Sequence, residues 1–295
     1  MRAWEGNTFE GGFDRRAADT TARAKAWLER QHDGRPFFLF VHYYDPHAPY
    51  VPPPPFAGRF TPDDATPLEK EIAAYDEEIA YTDSQLGLLL DALDELGLAE
   101  DTLVVVTADH GEGLMDHGHM AHGVHIYEEQ VRVPLLVRLP GVVAAGTRPQ
   151  GPVELLDLAP TLASLLGTPA PSPFRGRNLA PVLRGEAELD PDHPVHLFRR
   201  HYADRDDRDD PGAPRGVQYG VRVGAWKYIE RPAEGAPELY DLQADPEERQ
   251  DRIRWRADVA ARLAPLLVRG AEDAPDSAAL TPEEAERLRA LGYVE

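Results

Sequence analysis

Short, wholly apolar runs alternate along this chain with longer amphipathic ones. Phe37-Phe38-Leu39-Phe40-Val41 and Leu103-Val104-Val105-Val106-Thr107 are continuous and rich in β-branched or aromatic residues, as strands buried on both faces of a parallel sheet are. Both stop abruptly at polar groups: His42-Tyr43-Tyr44-Asp45-Pro46-His47 after the first, Ala108-Asp109-His110-Gly111-Glu112 after the second. Open α/β sheets bind ligands beyond the C-terminal ends of their strands, so two such endings predict a pocket. Between them, Thr66-Pro67-Leu68-Glu69 supplies Thr as N-cap, Pro at the first helical position and Glu three residues on, a capping box. The helix is predicted to run to about Leu96, with Ile72, Tyr75, Ile79, Leu86, Leu89, Leu90 and Leu93 as its core stripe and Gly97 as its stop. Strand, helix and strand in this order predict a right-handed parallel crossover.

The same patterns predict helices over 17–30 and 155–166, a helical turn at 126–130 and a strand over 133–138. Beyond about residue 190 the runs shorten. Half-polar stretches at 195–199, 216–223, 226–230 and 238–242 predict a small antiparallel sheet. Residues 253–269 read as helical, Thr281-Pro282-Glu283-Glu284 as the start of a terminal helix, and the acidic run 204–210 as a solvated loop. The expected division is 1–190 for the larger α/β portion and 191–295 for a small α+β subdomain.

Composition narrows the function classes. A formal charge of −21 with no basic cluster argues against nucleic acid or an anionic membrane surface. No window approaches a membrane span, and Met1-Arg2-Ala3-Trp4-Glu5 begins nothing like a signal peptide. The absence of Cys excludes disulfides, thiolate metal sites and thiol nucleophiles.

Candidate chemistry gathers after the second apolar run. An acidic oxygen and an imidazole at Asp109 and His110 can ligate a divalent metal, and Gly111 lets the backbone turn away close to the ion; a capped surface turn is the plainer reading. His117, His119, His122 and His125 follow, so five of the eleven histidines fall between 110 and 125. A solvated loop has no reason to gather them. His42 reads as a core residue, His125 as packing, and Lys227 as a strand lysine either solvated or reaching the pocket.

These pieces stand in a familiar order. Asp45-Pro46-His47-Ala48-Pro49-Tyr50, Thr107-Ala108-Asp109-His110-Gly111-Glu112, His117-Gly118, His122-Gly123, Tyr127-Glu128-Glu129 and Arg132-Val133-Pro134-Leu135 together resemble the second half of the sulfatases of the alkaline-phosphatase superfamily. Asp157-Leu158-Ala159-Pro160-Thr161-Leu162, Gly176-Arg177-Asn178-Leu179, Trp226-Lys227-Tyr228-Ile229, Glu238-Leu239-Tyr240-Asp241-Leu242 and Asp245-Pro246-Glu247-Glu248 extend the resemblance over about residues 16–295. It implies an α/β fold: an alkaline-phosphatase-like α/β/α sandwich, here with an incomplete central sheet, followed by a small antiparallel sheet plus helix subdomain.

The resemblance also implies roles. Asp109 and His110 would ligate a divalent cation, usually calcium, although His where Asn is commoner also suits manganese or zinc. His47 would hold a sulfate oxygen and the leaving-group oxygen. His122 would bind the anion where many relatives carry Lys. His117 and His119 would either face the substrate, a sulfated small molecule or glycan, or stand behind the groups that do, and Lys227 is a further candidate for reaching it. A sulfuryl group in transfer spreads negative charge over its oxygens, which a metal and imidazolium donors stabilise, and His can protonate a departing alkoxide near neutral pH.

The family's nucleophile, a formylglycine made from Cys or Ser in a Cys/Ser-x-Pro-Ser-Arg motif, has no counterpart here, nor do the paired aspartates that complete the metal site. None of Ser84, Ser164, Ser172 and Ser277 precedes Pro-Ser-Arg; Ser172-Pro173-Phe174-Arg175 comes nearest. The expectation is the C-terminal portion of a metal-dependent sulfuric ester hydrolase, with formylglycine confined to a missing N-terminal part. The rival readings are a phosphonate or phosphate ester hydrolase or phosphoglycerol-type transferase of the same superfamily, and a degenerate sulfatase-like binding domain without catalysis. Relatives are commonly exported. Association through an exposed sheet edge is expected, since the first strands of the sheet are absent.

Overall fold

A computed structural model describes residues 15–31, 34–169, 174–200, 216–233 and 235–269. They fall into two compact units that divide after Thr102.

The first unit is built on two helices packed against each other, α1 (Ala17–Gln31) and α2 (Pro67–Glu95). α2 begins with the expected capping box: Glu69 N–H donates to the Thr66 hydroxyl, and Thr66 N–H donates back to the Glu69 carboxylate. Its core stripe departs from the pattern. Leu89 and Leu93 are buried, but Ile79 is 42% exposed while the neighbouring Glu77 and Glu78 are sealed. Loop backbone explains the exchange. Glu77 accepts from the N–H groups of Gly58 and Phe60, and Glu78 from that of Val51; buried donors need such partners.

Residues 37–41 are extended but belong to no strand among the described residues, so the strand predicted there is not formed. Nor is the run buried on both faces as expected: Phe38 and Phe40 are 84% and 78% exposed, alternating with half-buried Leu39 and Val41. A strand is completed by its neighbour's hydrogen bonds, and these residues have no ladder. His42, expected in the core, is exposed beside Phe40.

In the second unit β1 (Val104–Thr107) pairs antiparallel with β4 (Leu135–Arg138), Val104 opposite Arg138 and Thr107 opposite Leu135. Between them lie the hairpin of β2 (Gly113–Leu114) and β3 (Met120–Ala121) and the single-turn α3 (Glu128–Val131). A 3₁₀ turn at Leu155–Asp157 leads into α4 (Leu158–Leu165), followed by α5 (Ala180–Leu183). The buried Asp157 carboxylate accepts both the backbone N–H and the guanidinium of Arg177, tying the two segments together.

The small antiparallel sheet forms as predicted, in the order β5 (Val195–Arg199), β6 (Gln218–Val223), β7 (Trp226–Glu230), β8 (Glu238–Asp241). One face packs Tyr219, Val221, Tyr228 and Leu239 against Val259 and Leu263 of α6 (Ala257–Leu263). The other sets Ile229 and Tyr240 against Ile126 and Tyr127. Residues alternate between the faces of a strand, so Lys227 shares the side of Ile229 and points toward α3. The helix expected over 253–269 is confined to α6 and the 3₁₀ turn Ala264–Leu266. The terminal helix from Thr281 and the acidic run 204–210 lie outside the described residues. Among those residues no helix is long and apolar enough to cross a membrane.

Candidate functional site

The hairpin β2–β3 reverses the chain after Asp109-His110-Gly111, pairing Gly113 with Ala121, and so returns His122 beside His110. Their rings stack with centroids 3.8 Å apart. His122 Nδ1 lies 3.3 Å from Glu112 Oε1. His110 Nδ1 donates to the Gly111 carbonyl at 2.8 Å, since a carbonyl can only accept, and the ring's Nε2 is turned toward Asp109. That Nε2 is 3.7 Å from Asp109 Oδ2, and the two side chains are 40% and 80% exposed. Gly111 is required at this turn. Its N–H donates to the Gln130 carbonyl at 2.9 Å, and a Cβ there would sit 2.1 Å from the Glu129 carbonyl oxygen.

The other loop histidines are not equivalent. His117 is gripped at both ring nitrogens, Nδ1 at 2.9 Å from Glu129 Oε1 and Nε2 at 3.2 Å from the Glu248 carbonyl. Only the imidazolium can donate to both. Burial opposes that charge, but the Glu129 hydrogen bond, the Glu248 carbonyl and the two carboxylates outweigh it and raise the pKa. With both nitrogens engaged, His117 braces the loop, one of the two roles the sequence left open for it. His125 packs at 8% exposure with neither nitrogen hydrogen-bonded. Burial first, then the positive charges of Arg231 and the neighbouring histidines, push its pKa down to about 3. His119 lies half-buried with its ring 4.7 Å from that of His125.

His47 belongs to the first unit, on a loop fixed at both ends. The Asp45 carboxylate accepts the Ala17 N–H and an Arg16 hydrogen bond, each at 2.6 Å, and Val51 N–H donates to Glu78 at 2.8 Å. The His47 ring rests on Tyr44, centroids 4.5 Å apart, with Nδ1 2.7 Å from the Ala48 carbonyl.

Lys227 corrects the sequence reading. It is neither solvated nor open to a substrate: its side chain has no exposed surface and lies 3.1 Å from Glu128 and 3.0 Å from Glu248. Pairing with two carboxylates accounts for a lysine inside the sheet. α3 was the element without a forecast role. Glu128 holds Lys227 and Arg222, Glu129 holds His117, and the Gln130 side chain accepts the N–H groups of Val124 and His125. Only the position of Tyr127-Glu128-Glu129 in the family order marked it.

A resident metal is only half provided for. The orientation of His110 Nε2 toward Asp109 suits a shared cation, but among the described residues no three His, Asp or Glu side chains gather to hold one. Calcium takes about six to eight oxygens. These residues alone do not fit it.

Residues 4–168 match the family model described as Sulfatase, and residues 116–267 that of N-sulphoglucosamine sulphohydrolase, C-terminal. Steryl-sulfatase of Mus musculus is 35% identical over 206 residues, 65% of this chain and 30% of its own. Arylsulfatase K of Bos taurus is 33% identical over 202 residues, 65% of this chain and 34% of its own. An N-acetylgalactosamine-6-O-sulfatase of Bacteroides thetaiotaomicron is 27% identical over 280 residues, 84% of this chain and 49% of its own. The chain thus spans about a third to a half of the length of these curated relatives.

Among solved structures, a protein in complex with its substrate D-glucosamine-2-N,6-O-disulfate superposes with a TM-score of 0.70 at 21% identity, covering 86% of this chain and 68% of that one. The phosphonate monoester hydrolase of Agrobacterium radiobacter also gives 0.70, at 25% identity, covering 85% and 58%. The fold is alkaline-phosphatase-like, and with both family models each matching more than half of its length, the chain belongs to the sulfatase family.

Proposed function

We propose that this protein is a sulfuric ester hydrolase acting on a sulfated small molecule or glycan. The observation that carries the reading is the convergence of Asp109, His110 and His122 at the turn after β1, in a chain matched by two sulfatase family models. The relatives' names support the substrate class: each is a sulfatase, and one solved neighbour is bound to a disulfated glucosamine.

In this reading Asp109 and His110 are two ligands of a divalent cation, calcium by family resemblance, whose remaining ligands are not among the described residues. When bound, such an ion stabilises charge on the ester's oxygens. His122 binds the anion beside it, and Glu112 orients the His122 ring through Nδ1. His47 is carried as an anion-binding residue and proton donor to the leaving oxygen on the family resemblance. The nucleophile is assigned to no residue of this sequence, which has no Cys and no Ser followed by Pro-Ser-Arg. We keep the proposed boundary between catalytic portion and C-terminal subdomain near residue 190; a four-stranded sheet that draws no strand from before Val195 supports it, although the compact units divide after Thr102.

The test is hydrolysis of 4-nitrophenyl sulfate by the product of the complete reading frame. The expected outcome is activity abolished by a chelator and lowered at least about a hundredfold in Asp109→Ala and His122→Ala. Unchanged turnover in Asp109→Ala would overturn the assignment. The solved phosphonate monoester hydrolase favours one second reading, phosphonate ester hydrolysis on the same scaffold.

A further inference from the structure

Three of the segments that establish the family order meet in one buried ionic cluster. Lys227 of β7 pairs with Glu128 of α3 and with Glu248, and Arg222 of β6 reaches the second Glu128 oxygen at 3.3 Å. Glu248 is 1% exposed and held at a φ of +52°, a region uncommon outside glycine and kept only where the surroundings enforce it. That backbone lets one residue act twice. Its carboxylate accepts the Glu128 N–H, and its carbonyl meets His117 Nε2.

α3 in turn touches the candidate site at three places. Gly111 donates to its Gln130 carbonyl and has no room for a Cβ against its Glu129 carbonyl. Glu129 holds the other His117 nitrogen, and the Gln130 side chain holds the amides of Val124 and His125. All of these groups lie in the second unit.

We propose that Lys227 is a positioning residue: with Glu128 and Glu248 it fixes α3, and through α3 the Asp109–Gly111 turn and His117. The proposal rests on the reading of Asp109, His110 and His122 as the site. It gives the buried cluster a task beyond stability, since buried ion pairs are often no more stabilising than well-packed apolar replacements.

Amide hydrogen exchange on this chain tests the proposal without requiring activity. In Lys227→Met the amides of Gly111, Val124 and His125 are expected to exchange at least tenfold faster, while the β5–β6 ladder keeps its protection and Lys227→Arg restores the wild-type pattern. Glu128→Gln, which keeps the side-chain shape, is expected to shift the same three amides and carries the test if Lys227→Met does not fold. Unchanged exchange at Gly111 in a folded variant, or loss of protection spread equally over the β5–β6 ladder, would overturn the proposal. Because no hydrolysis is measured, failure of the sulfatase reading leaves this result distinguishable.

Discussion

With both ring nitrogens of His125 unpartnered and the residue 8% exposed, the charged imidazole has no counterpart to water's solvation, and neutrality persists down to a pKa of about 3. The unfolded chain takes up this proton near 6.5, so at lower pH protonation favours unfolding. Stability is therefore lost as pH falls from about 6.5 toward 3, at up to about 1.4 kcal/mol per pH unit from this group. His125→Phe is predicted to match or exceed wild-type stability at pH 8 and to flatten this acid limb, as read by urea unfolding across pH. His117 has the opposite sign. Its raised pKa makes its contribution full below the unfolded value and lost as pH rises through the folded one. The stability gap between wild type and His117→Asn should accordingly narrow in alkaline solution. A gap that widened would refute the double hydrogen bond. The packing of His125 was legible from the sequence and is what the structure shows; the double grip on His117 was not, because Glu129 and Glu248 lie far along the chain.

Local signals were read well at the level of elements, and signals that depend on distant partners were not. The α2 capping box was legible because Thr66, Pro67 and Glu69 satisfy one another within a turn. The four-stranded sheet was legible because turn residues punctuate short strands. Residues 37–41 have every local mark of a strand, yet pairing is a property of neighbours, and β1 takes its antiparallel partner from residues 135–138. Nothing in the sequence marked Glu77, Glu78, Glu248 and Lys227 as buried charges, since the groups that hold them lie up to about a hundred residues away. Gly111 offers a direct check of how α3 backs the site. Gly111→Ala places a Cβ 2.1 Å from a backbone oxygen, and overpacking of this kind costs about 1–3 kcal/mol or more. A lowered urea midpoint with displaced His110 and His122 resonances is expected; wild-type stability and spectra would contradict the contact.

Across the whole molecule the family was the most legible feature, because the order of many weak motifs is improbable even though each is common. The net charge of −21 means that an anionic substrate must find its positive charge locally, which gives the histidines and a cation their importance. Phe38 and Phe40 are 84% and 78% exposed on an extended segment without a ladder, an apolar pair open to a partner. The chain is predicted to associate with rising concentration in light scattering, and the double variant Phe38→Ser, Phe40→Ser to associate less. Equal association would place the contact elsewhere.

The central claim is sulfuric ester chemistry at Asp109, His110 and His122. The most direct measurement is kcat/KM of the complete reading frame's product toward 4-nitrophenyl sulfate, set beside that toward 4-nitrophenyl phenylphosphonate under the same divalent cation. The sulfate ester is expected to be preferred, and Asp109→Ala to abolish its hydrolysis. Preference for the phosphonate ester, or sulfate hydrolysis indifferent to Asp109, would contradict it.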